Sequence, residues 1–150
     1  MAYEDLVLGF RFGVFFFVGG VVPNPLDIRF QRVSGLGAQM TTIDHREGGQ
    51  NVFTHKLPDG ITHENIVFER GMVVGSPLNI EFNLALSFYT MTPSNVLIMI
   101  FNEDTIPIGG WLCIKAYPVR WSTSDLNAGE SGVVIDTFEL AYQRLTFLRV

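Results

Sequence analysis

The stretch Val133-Val134-Ile135-Asp136-Thr137-Phe138-Glu139-Leu140-Ala141-Tyr142-Gln143-Arg144-Leu145 decides how this chain is expected to fold. It contains no Gly or Pro and is rich in β-branched and aromatic residues, which is typical of a long strand. Alternate positions differ in polarity: one set carries Val134, Phe138, Leu140 and Tyr142, and the other carries Val133, Thr137, Glu139 and Gln143. One face of this strand is therefore predicted to be apolar and the other mixed. A strand of this length needs partners, and shorter apolar runs separated by Gly, Pro and Asn supply them.

The composition predicts one domain that associates with other molecules. The chain has 150 residues, which fits a single domain spanning residues 1–150 with a core of its own. Hydrophobic residues make up 47% of it, including 13 Phe, and only 17% of residues are charged. This is more apolar surface than one small domain easily hides, so burial against copies of itself or a partner is expected.

Several classes of protein are disfavoured by the same numbers. A single cysteine, Cys113, excludes an internal disulfide framework and fits a reducing cytoplasm. The net charge of −5 argues against a general nucleic-acid binder. No apolar run approaches the roughly 18 to 20 residues of a membrane helix, so membrane anchoring is not expected. Acidic Glu4 and Asp5 near the start argue against secretory processing.

The first half of the chain predicts strands around a polar loop. Residues 8–18 and 26–33 alternate in polarity and are separated by Gly and Pro, which predicts two strands forming a hairpin. Residues 38–58 are predicted to be a long protruding loop with short strand character at either side. A turn at Leu57-Pro58-Asp59-Gly60 and a third strand over residues 61–70 follow.

The second half contains one ambiguous segment, residues 76–89. Ser76-Pro77 is a good helix start, and an apolar helical face follows it. The same segment also alternates strictly from Leu78 to Phe88, which is the strand pattern, and the residues alone leave both possibilities open. Further strands are predicted over residues 96–101 and 111–117, the second limited by Gly109-Gly110 and Pro118. Residues 122–132 are predicted to be a loop before the final strand.

The order of these landmarks resembles the inner tube proteins of contractile phage tails and related injection systems, and more distantly the type VI secretion tube protein. The match covers residues 28–145, and each landmark alone is short. The landmark positions are Ser34, Gly35 and Leu36 at a hairpin end, Pro58 and Gly60 after the loop, Arg70 and Gly71 at a strand end, Trp111 and Pro118 around a strand, and Glu139 in the closing strand. The loop also carries Glu47-Gly48-Gly49, as in the family.

This resemblance implies a mainly β fold, an antiparallel β-barrel or sandwich with one α-helix packed against it, and it favours helix over residues 76–89. It implies a structural subunit, not an enzyme, whose hexameric rings stack into a hollow conduit that sheath contraction drives through a target envelope. The implied partners are further copies of the chain, sheath and baseplate proteins, and a DNA or protein cargo in the lumen, with no cofactor. The particle would be assembled in the bacterial cytoplasm and form part of a virion tail or an injection particle.

The loop is the natural element to reach a neighbouring copy or the next ring, and the charges at its tip could set the register between copies. The candidate contact residues are Asp44, His45, Arg46, Glu47, Gly48 and Gly49.

Two departures from the family pattern leave open, as an alternative to the bulk tube subunit, a specialised ring such as a tube initiator next to the baseplate. Phe82 stands near the place where the family usually has a Trp, and residues 19–25 form a longer, Pro-rich connection. A second hypothesis, from another class, is a monomeric β-barrel that binds an apolar ligand in its aromatic interior.

Catalytic and metal-binding chemistry has little support in the sequence. His45, His55 and His63 are ten and eight residues apart, which fits no compact ligand pattern. Cys113 lies between Leu112 and Ile114, where a small buried hydrophobe is expected. Trp111 and Tyr117 are predicted to share a strand face and Trp121 to lie outside the strand. For all three rings, packing in the core or an interface is expected rather than a base-stacking platform, because no basic groove accompanies them.

Overall fold

The computed structural model describes residues 11–17, 28–49, 51–89 and 93–149. They form nine strands and one helix, in chain order β1 Phe12–Phe17, β2 Arg32–Ser34, β3 Ala38–His45, β4 His55–His63, β5 Ile66–Gly71, α1 Pro77–Phe88, β6 Ser94–Phe101, β7 Pro107–Thr123, β8 Ile135–Ala141 and β9 Arg144–Arg149. All strand pairs are antiparallel. The predicted fold class, an antiparallel barrel or sandwich with one helix, is confirmed.

Two long hairpins, each interrupted once, organise the fold. In the first, Ser34 pairs with Val67 and Ala38 with His63, so three residues intervene on each strand and one register continues through the gap. In the second, Tyr117 pairs with Ala141 and Ile114 with Arg144, so two residues intervene on each strand. The hairpins meet where β5 pairs with β8.

Beyond that meeting point the two hairpins diverge. The second hairpin continues as the first half of β7, which pairs with β9 on one edge and with β6 on the other. β6 in turn pairs with β1. The first hairpin continues outward as β3 and β4, which form a separate two-stranded sheet. We call residues 38–63 the arm.

The strand order β1-β6-β7-β8-β5-β2 is joined into a barrel by the segment before β2. The Val14 N–H donates to the Ile28 carbonyl at 2.9 Å, and the Gln31 N–H donates to the Glu69 carbonyl at 2.8 Å. This one segment therefore contacts both β1 and β5. The predicted hairpin between the first two strands is therefore seen only as this one hydrogen bond from Val14 to Ile28, while β1 pairs along its length with β6 and β2 pairs with β5 within the described residues. Residues 8–10 and 18–27 of that prediction lie outside the described residues.

The barrel interior is packed with aromatic and aliphatic side chains. Phe68 and Phe138 are fully buried and face each other across β5 and β8. Phe82 of α1 packs edge-on against Phe138 with the ring centroids 4.8 Å apart. Burial of these large apolar surfaces is the main stabilising contribution to the barrel.

Residues 76–89, which the sequence left open, contain helix α1, from Pro77 to Phe88, and its buried residues are Leu78, Phe82 and Ala85. Ser76 is the residue before the helix, as the predicted helix start requires, but its hydroxyl does not cap the helix and instead accepts a hydrogen bond from Arg70. The helix ends at Tyr89, which adopts a left-handed conformation and donates its N–H to the Leu84 carbonyl.

Strand β7 is longer than predicted. Gly109, Gly110 and Pro118 lie inside it and do not end it. A Cβ on Gly110 would lie 2.7 Å from the Ile98 carbonyl, so glycine here permits close approach of β6. Trp121 also lies in β7, contrary to the prediction, and stacks on Phe138 with an interplanar angle of 10°.

A bulge at Lys115 changes which residues of β7 share a face. Lys115 has φ +55°, and its N–H donates to the Asn95 Oδ1 at 3.2 Å. The extra residue reverses the alternation of faces. Trp111 consequently packs against the core while Tyr117 is exposed, so the two rings do not share the predicted face.

The strand predicted over residues 133–145 is divided into β8 and β9, with Tyr142 and Gln143 between them. The predicted strand over residues 61–70 is divided in the same way, because residues 64–65 separate β4 from β5. Both interruptions lie where the two hairpins diverge.

Candidate assembly surfaces

The arm projects from the barrel and is exposed along nearly its whole length. In the part of the chain that the structure describes, β3 and β4 pair with each other and with no further strand. The sequence therefore predicted the position of a protruding element correctly but not its form, because strands occupy most of it and the connecting loop is residues 46–54. An isolated two-stranded ribbon is marginally stable in water. Contacts with another molecule would therefore stabilise the arm.

The predicted turn at residues 57–60 is a bulge within β4. Thr41 pairs with Gly60 and Thr42 with Pro58, so Asp59 is an extra residue on that strand. The chain reverses direction before this bulge, in the loop between β3 and β4, where Gly49 has φ +87°. As a result Ile43 faces Leu57 directly across the arm.

The predicted contact residues all lie at the far end of the arm. Asp44 and His45 are the last residues of β3, and Arg46, Glu47, Gly48 and Gly49 begin the loop. Asp44 faces Lys56, and His45 faces His55. His55 lies 3.8 Å from the Glu47 carboxylate and packs edge-on against Phe53. The tip thus presents acidic, basic and aromatic side chains close together. Such a mixed surface suits recognition of a partner's surface.

The junction of the arm with the barrel depends on Gly35. Gly35 has φ +85°, and a Cβ there would lie 2.3 Å from the Asn65 carbonyl oxygen. The Asn65 side-chain amide donates to the Glu139 carboxylate at 3.0 Å, which links the junction to β8. His63, the last residue of β4, and Tyr142, which follows β8, have their ring centroids 5.2 Å apart. Two family landmarks, Gly35 and Glu139, therefore determine how the arm leaves the barrel.

Arg70, another landmark, is buried and connects the barrel to the helix. Its Nη2 donates to the Ser76 Oγ at 2.8 Å and to the Asn79 Oδ1 at 3.1 Å. Its guanidinium lies 5.1 Å from the ring centroids of both Phe30 and Phe138. Arginine is suited to this site because its planar cation combines several donors with stacking on aromatic rings.

The remaining landmarks support the fold in simpler ways. Ser34 lies in β2, Leu36 packs against the core, and Gly71 ends β5. Pro58 and Gly60 flank the bulge in β4. Trp111 packs edge-on against Phe147, and Pro118 is buried opposite Leu140.

Helix α1 carries a second apolar surface on its solvent side. Ile80, Leu84 and Phe88 follow one another at intervals of four residues and are 62%, 43% and 70% exposed. Glu81 is the helix's single charged residue. This arrangement explains the strict alternation in the sequence, because two apolar stripes on opposite sides of one helix place apolar residues at every second position.

Strand β9 carries exposed apolar residues. Within the described residues it pairs only with β7, and Phe147 and Leu148 on it are about half exposed. An exposed apolar edge is a site at which another strand can pair.

The residues considered for chemistry do not form a reactive site. The part of the chain that the structure describes contains no group of three His, Cys, Asp or Glu side chains suited to hold a metal ion. Cys113 is buried, and burial raises the pKa of its thiol to about 12. Trp111 and Trp121 pack against the core, as expected for rings that are not a binding platform. Among the described helices none is long and apolar enough to cross a membrane.

A barrel with an apolar outer helix face and a projecting ribbon is typical of a protein that acts by assembly. Comparison with known proteins identifies the family. The family model of the T4-like virus tail tube protein gp19 matches residues 8–146, and the chain belongs to this family. The resemblance seen in the sequence is confirmed, and the chain is a structural tail tube protein and not an enzyme.

Solved structures give the same fold. A chain from the cryo-EM structure of the anti-feeding prophage baseplate is 40% identical, with a TM-score of 0.90 over 99% of this chain and 98% of that one. A chain of the PVC sheath-tube complex, from an extracellular contractile injection system, is 21% identical, with a TM-score of 0.81 over 98% and 94%. A type six secretion system protein is 14% identical, with a TM-score of 0.55 over 93% and 83%. A search of curated protein sequences found no match.

Proposed function

We propose that this chain is a subunit of the inner tube of a contractile injection system, and that its copies close into six-membered rings that stack into a hollow conduit. The family match over residues 8–146 carries the proposal. The anti-feeding prophage baseplate, which contains a chain 40% identical to this one, was symmetrised six-fold, which supports the ring size.

The exposed surfaces suit this function. In a closed ring each copy meets its neighbours through the same pair of surfaces, so free strand edges and exposed apolar patches are covered without exception. Among the described residues, the outer stripe of α1, the arm and the exposed residues of β9 are surfaces suited to such contacts. The candidate tip residues 44–49 would contribute polar contacts that select the register between copies.

A position next to the baseplate is favoured over the bulk of the tube. The chain from the baseplate structure is 40% identical to this protein, whereas the chain from the sheath-tube complex is 21% identical. Phe82 and the connection over residues 19–25 had suggested such a ring from the sequence. The partners would then be baseplate proteins, the next tube ring and sheath, with cargo passing through the lumen. The subunits would be assembled in the bacterial cytoplasm and would form part of an extracellular injection particle.

Negative-stain electron microscopy and light scattering across a concentration series test the function. Six-fold rings are expected, and rings that do not stack alone but do stack on a bulk tube protein would support the baseplate position. Long tubes formed by this protein alone would assign it to the bulk of the tube. A monomer at every concentration would contradict the proposed function and favour the ligand-binding barrel.

A further inference from the structure

The junction between the arm and the barrel contains two buried polar atoms that complement each other. The Nδ1 of His63 and the hydroxyl oxygen of Tyr142 are both buried, and neither has a hydrogen-bond partner among the described residues. The centroids of the two rings lie 5.2 Å apart. Burial of a polar group without a partner is costly, and a phenol and a neutral imidazole nitrogen are a donor and an acceptor. These two atoms are therefore expected to share a hydrogen-bonding partner.

The two residues belong to different parts of the molecule. His63 pairs with Ala38 at the root of the arm, whereas the Tyr142 ring packs against the barrel core. Backbone pairing is interrupted between them, because residues 35–37 and 64–65 separate the arm from β2 and β5. A link between these side chains would therefore cross a break in the strand ladder.

Tyr142 is suited to the role of donor. Burial raises the pKa of its phenol above the ordinary value of 10.0, and the negative charges that Cys113 and Glu64 carry when ionised raise it further. The phenol therefore keeps its proton at neutral and moderately alkaline pH. The acceptor must then be an unprotonated ring nitrogen, which the Nδ1 of a neutral His63 provides.

A water molecule is the partner that suits both atoms. The two side chains are in contact, yet no hydrogen bond joins them directly. Buried waters typically lie between polar groups that have no other partner, with about two to four hydrogen bonds each. One water can accept from a phenol and donate to an imidazole nitrogen. A metal ion is less suited, because the described residues contain no group of three His, Cys, Asp or Glu side chains that could hold one.

We infer that one buried water molecule accepts a hydrogen bond from the Tyr142 hydroxyl and donates one to the Nδ1 of His63, so that neutral His63 carries its proton on Nε2. This bridge holds the arm in a fixed direction relative to the barrel, because it connects the root of the arm to a ring that is anchored in the core. The bridge lies within one chain and goes beyond the proposed function. A failure of the protein to assemble would contradict the tube function without affecting the bridge.

The position of the proton on His63 is the first measurement. The 15N spectrum of protein labelled at its histidines, recorded at about pH 8.5 on neutral imidazoles, distinguishes protonated from unprotonated ring nitrogens. The variant His63→Gln identifies the signals of His63 by removing them. We expect a single tautomer with an unprotonated Nδ1 for His63, whereas the exposed His45 should give a mixture of both tautomers. A proton on the Nδ1 of His63, or a mixture as in His45, would overturn the inference.

Removal of one hydroxyl tests the role of Tyr142. Tyr142→Phe keeps the ring and removes the donor, so His63 is expected to change from one tautomer to a mixture. Tyr117→Phe is the matched control, because Tyr117 is an exposed tyrosine of β7, and it should leave the His63 signals unchanged. If Tyr142→Phe also leaves these signals unchanged, Tyr142 is not the donor and the inference is wrong.

A density map in which ordered waters are visible shows the bridge directly. Crystallography of the chain or cryo-EM of its assemblies can supply such a map. One peak is expected about 2.7–3.2 Å from both the Tyr142 hydroxyl oxygen and the Nδ1 of His63. A direct bond between the two atoms, or a different protein partner for either one, would overturn the inference while the tube function stands.

Pulsed electron paramagnetic resonance measures whether the bridge orients the arm. Nitroxide labels on Lys56→Cys in the arm and Arg32→Cys on β2 report the distance between arm and barrel, and dilution with unlabelled protein restricts the measurement to one chain. Both positions are exposed, whereas the native Cys113 is buried and should not be labelled in the folded protein. Tyr142→Phe is expected to broaden the distance distribution, and Tyr117→Phe to leave it as in the labelled parent. Equal widths in all three proteins would overturn the role of the bridge in orienting the arm.

Discussion

Arg70 on β5 and Asp136 on β8 lie directly opposite each other, and both are buried in the core, with 2% and 1% of their surface exposed. Arg70 connects the sheet to the start of α1, through Ser76 and Asn79. The Asp136 Oδ1 accepts a hydrogen bond from the Thr123 hydroxyl of β7 at 3.1 Å. Two opposite charges at the centre of the barrel thus connect a helix and three strands.

Replacement of Arg70 by Ala should destabilise the monomer strongly. It removes the donors to Ser76 and Asn79 and leaves these two side chains without this donor next to the core. Loss of a buried, charged hydrogen-bond donor typically costs about 1.5–3 kcal/mol for each hydrogen bond, so a total loss of several kcal/mol is expected. Urea unfolding followed by tryptophan fluorescence measures the change. Arg70→Lys should recover only part of the loss, because an ammonium lacks the planar fork of donors.

Arg32→Ala is the control for that experiment. Arg32 is an exposed arginine on β2, and its removal should change the free energy of unfolding by no more than about 0.5 kcal/mol. Equal losses from both arginines would show that Arg70 has no special structural role.

Gly35→Ala should disturb the junction between barrel and arm. The new Cβ would lie 2.3 Å from the Asn65 carbonyl oxygen, in a residue whose φ of +85° already disfavours a side chain. A loss of roughly 1–3 kcal/mol is expected, since the left-handed backbone alone is costly for other residues. Hydrogen exchange should become faster in residues 38–63.

Gly37→Ala provides the comparison, because a Cβ there has no atom within 4 Å. It should leave both thermal unfolding and hydrogen exchange unchanged. Similar behaviour of the two variants would contradict the role assigned to Gly35.

The buried Cys113 thiol should make stability fall at alkaline pH. Its pKa is raised by burial from 9.0 to about 12, so above pH 9 the unfolded state loses the proton while the folded state keeps it. The folded state then binds more protons than the unfolded state, and stability decreases as pH rises. The expected slope is about 1.4 kcal/mol per pH unit between pH 9 and 12.

Cys113→Val removes this titration at nearly constant volume. The difference in unfolding free energy between wild type and variant should therefore shrink or reverse as pH rises above 9. In addition, the wild-type thiol should react with a thiol reagent at pH 8 only after the protein is unfolded. Rapid reaction of the folded monomer would show that Cys113 is accessible.

Two phenylalanines of α1 should separate folding from assembly. Phe82→Ala removes a buried ring that packs on Phe138, and a loss of about 3–5 kcal/mol is expected. Phe88 is 70% exposed, so Phe88→Ala should change monomer stability little. If the outer stripe contacts a partner, Phe88→Ala should instead weaken assembly, measured by light scattering. Normal assembly of Phe88→Ala would exclude Phe88 from the interfaces.

Much of the fold was predictable because a half-buried strand produces a local pattern in the sequence, the alternation of apolar and polar residues. Val96 to Phe101 lies within β6, and residues 135–141 of the predicted closing strand form β8. The protruding element and its charged tip were also predicted, since a polar segment between strands has no core to enter. Alternation could not identify α1, because its second apolar stripe mimics a strand.

The sequence by itself determined the class of the fold, the family and the place of the arm, because these depend on the order of short local patterns along the chain. Tertiary structure alone decided which polar residues are buried and where the strands break. Charged residues such as Asp136 and Arg70 usually lie at the surface, yet both are buried here, where the pairing of β5 with β8 places them opposite each other. The breaks at residues 35–37 and 142–143 occur where two hairpins meet and diverge, and that meeting pairs residues as far apart in the chain as Ile66 and Leu140. A local sequence pattern cannot predict where these strands break, because the break depends on pairing with a distant strand that is adjacent only in the folded protein.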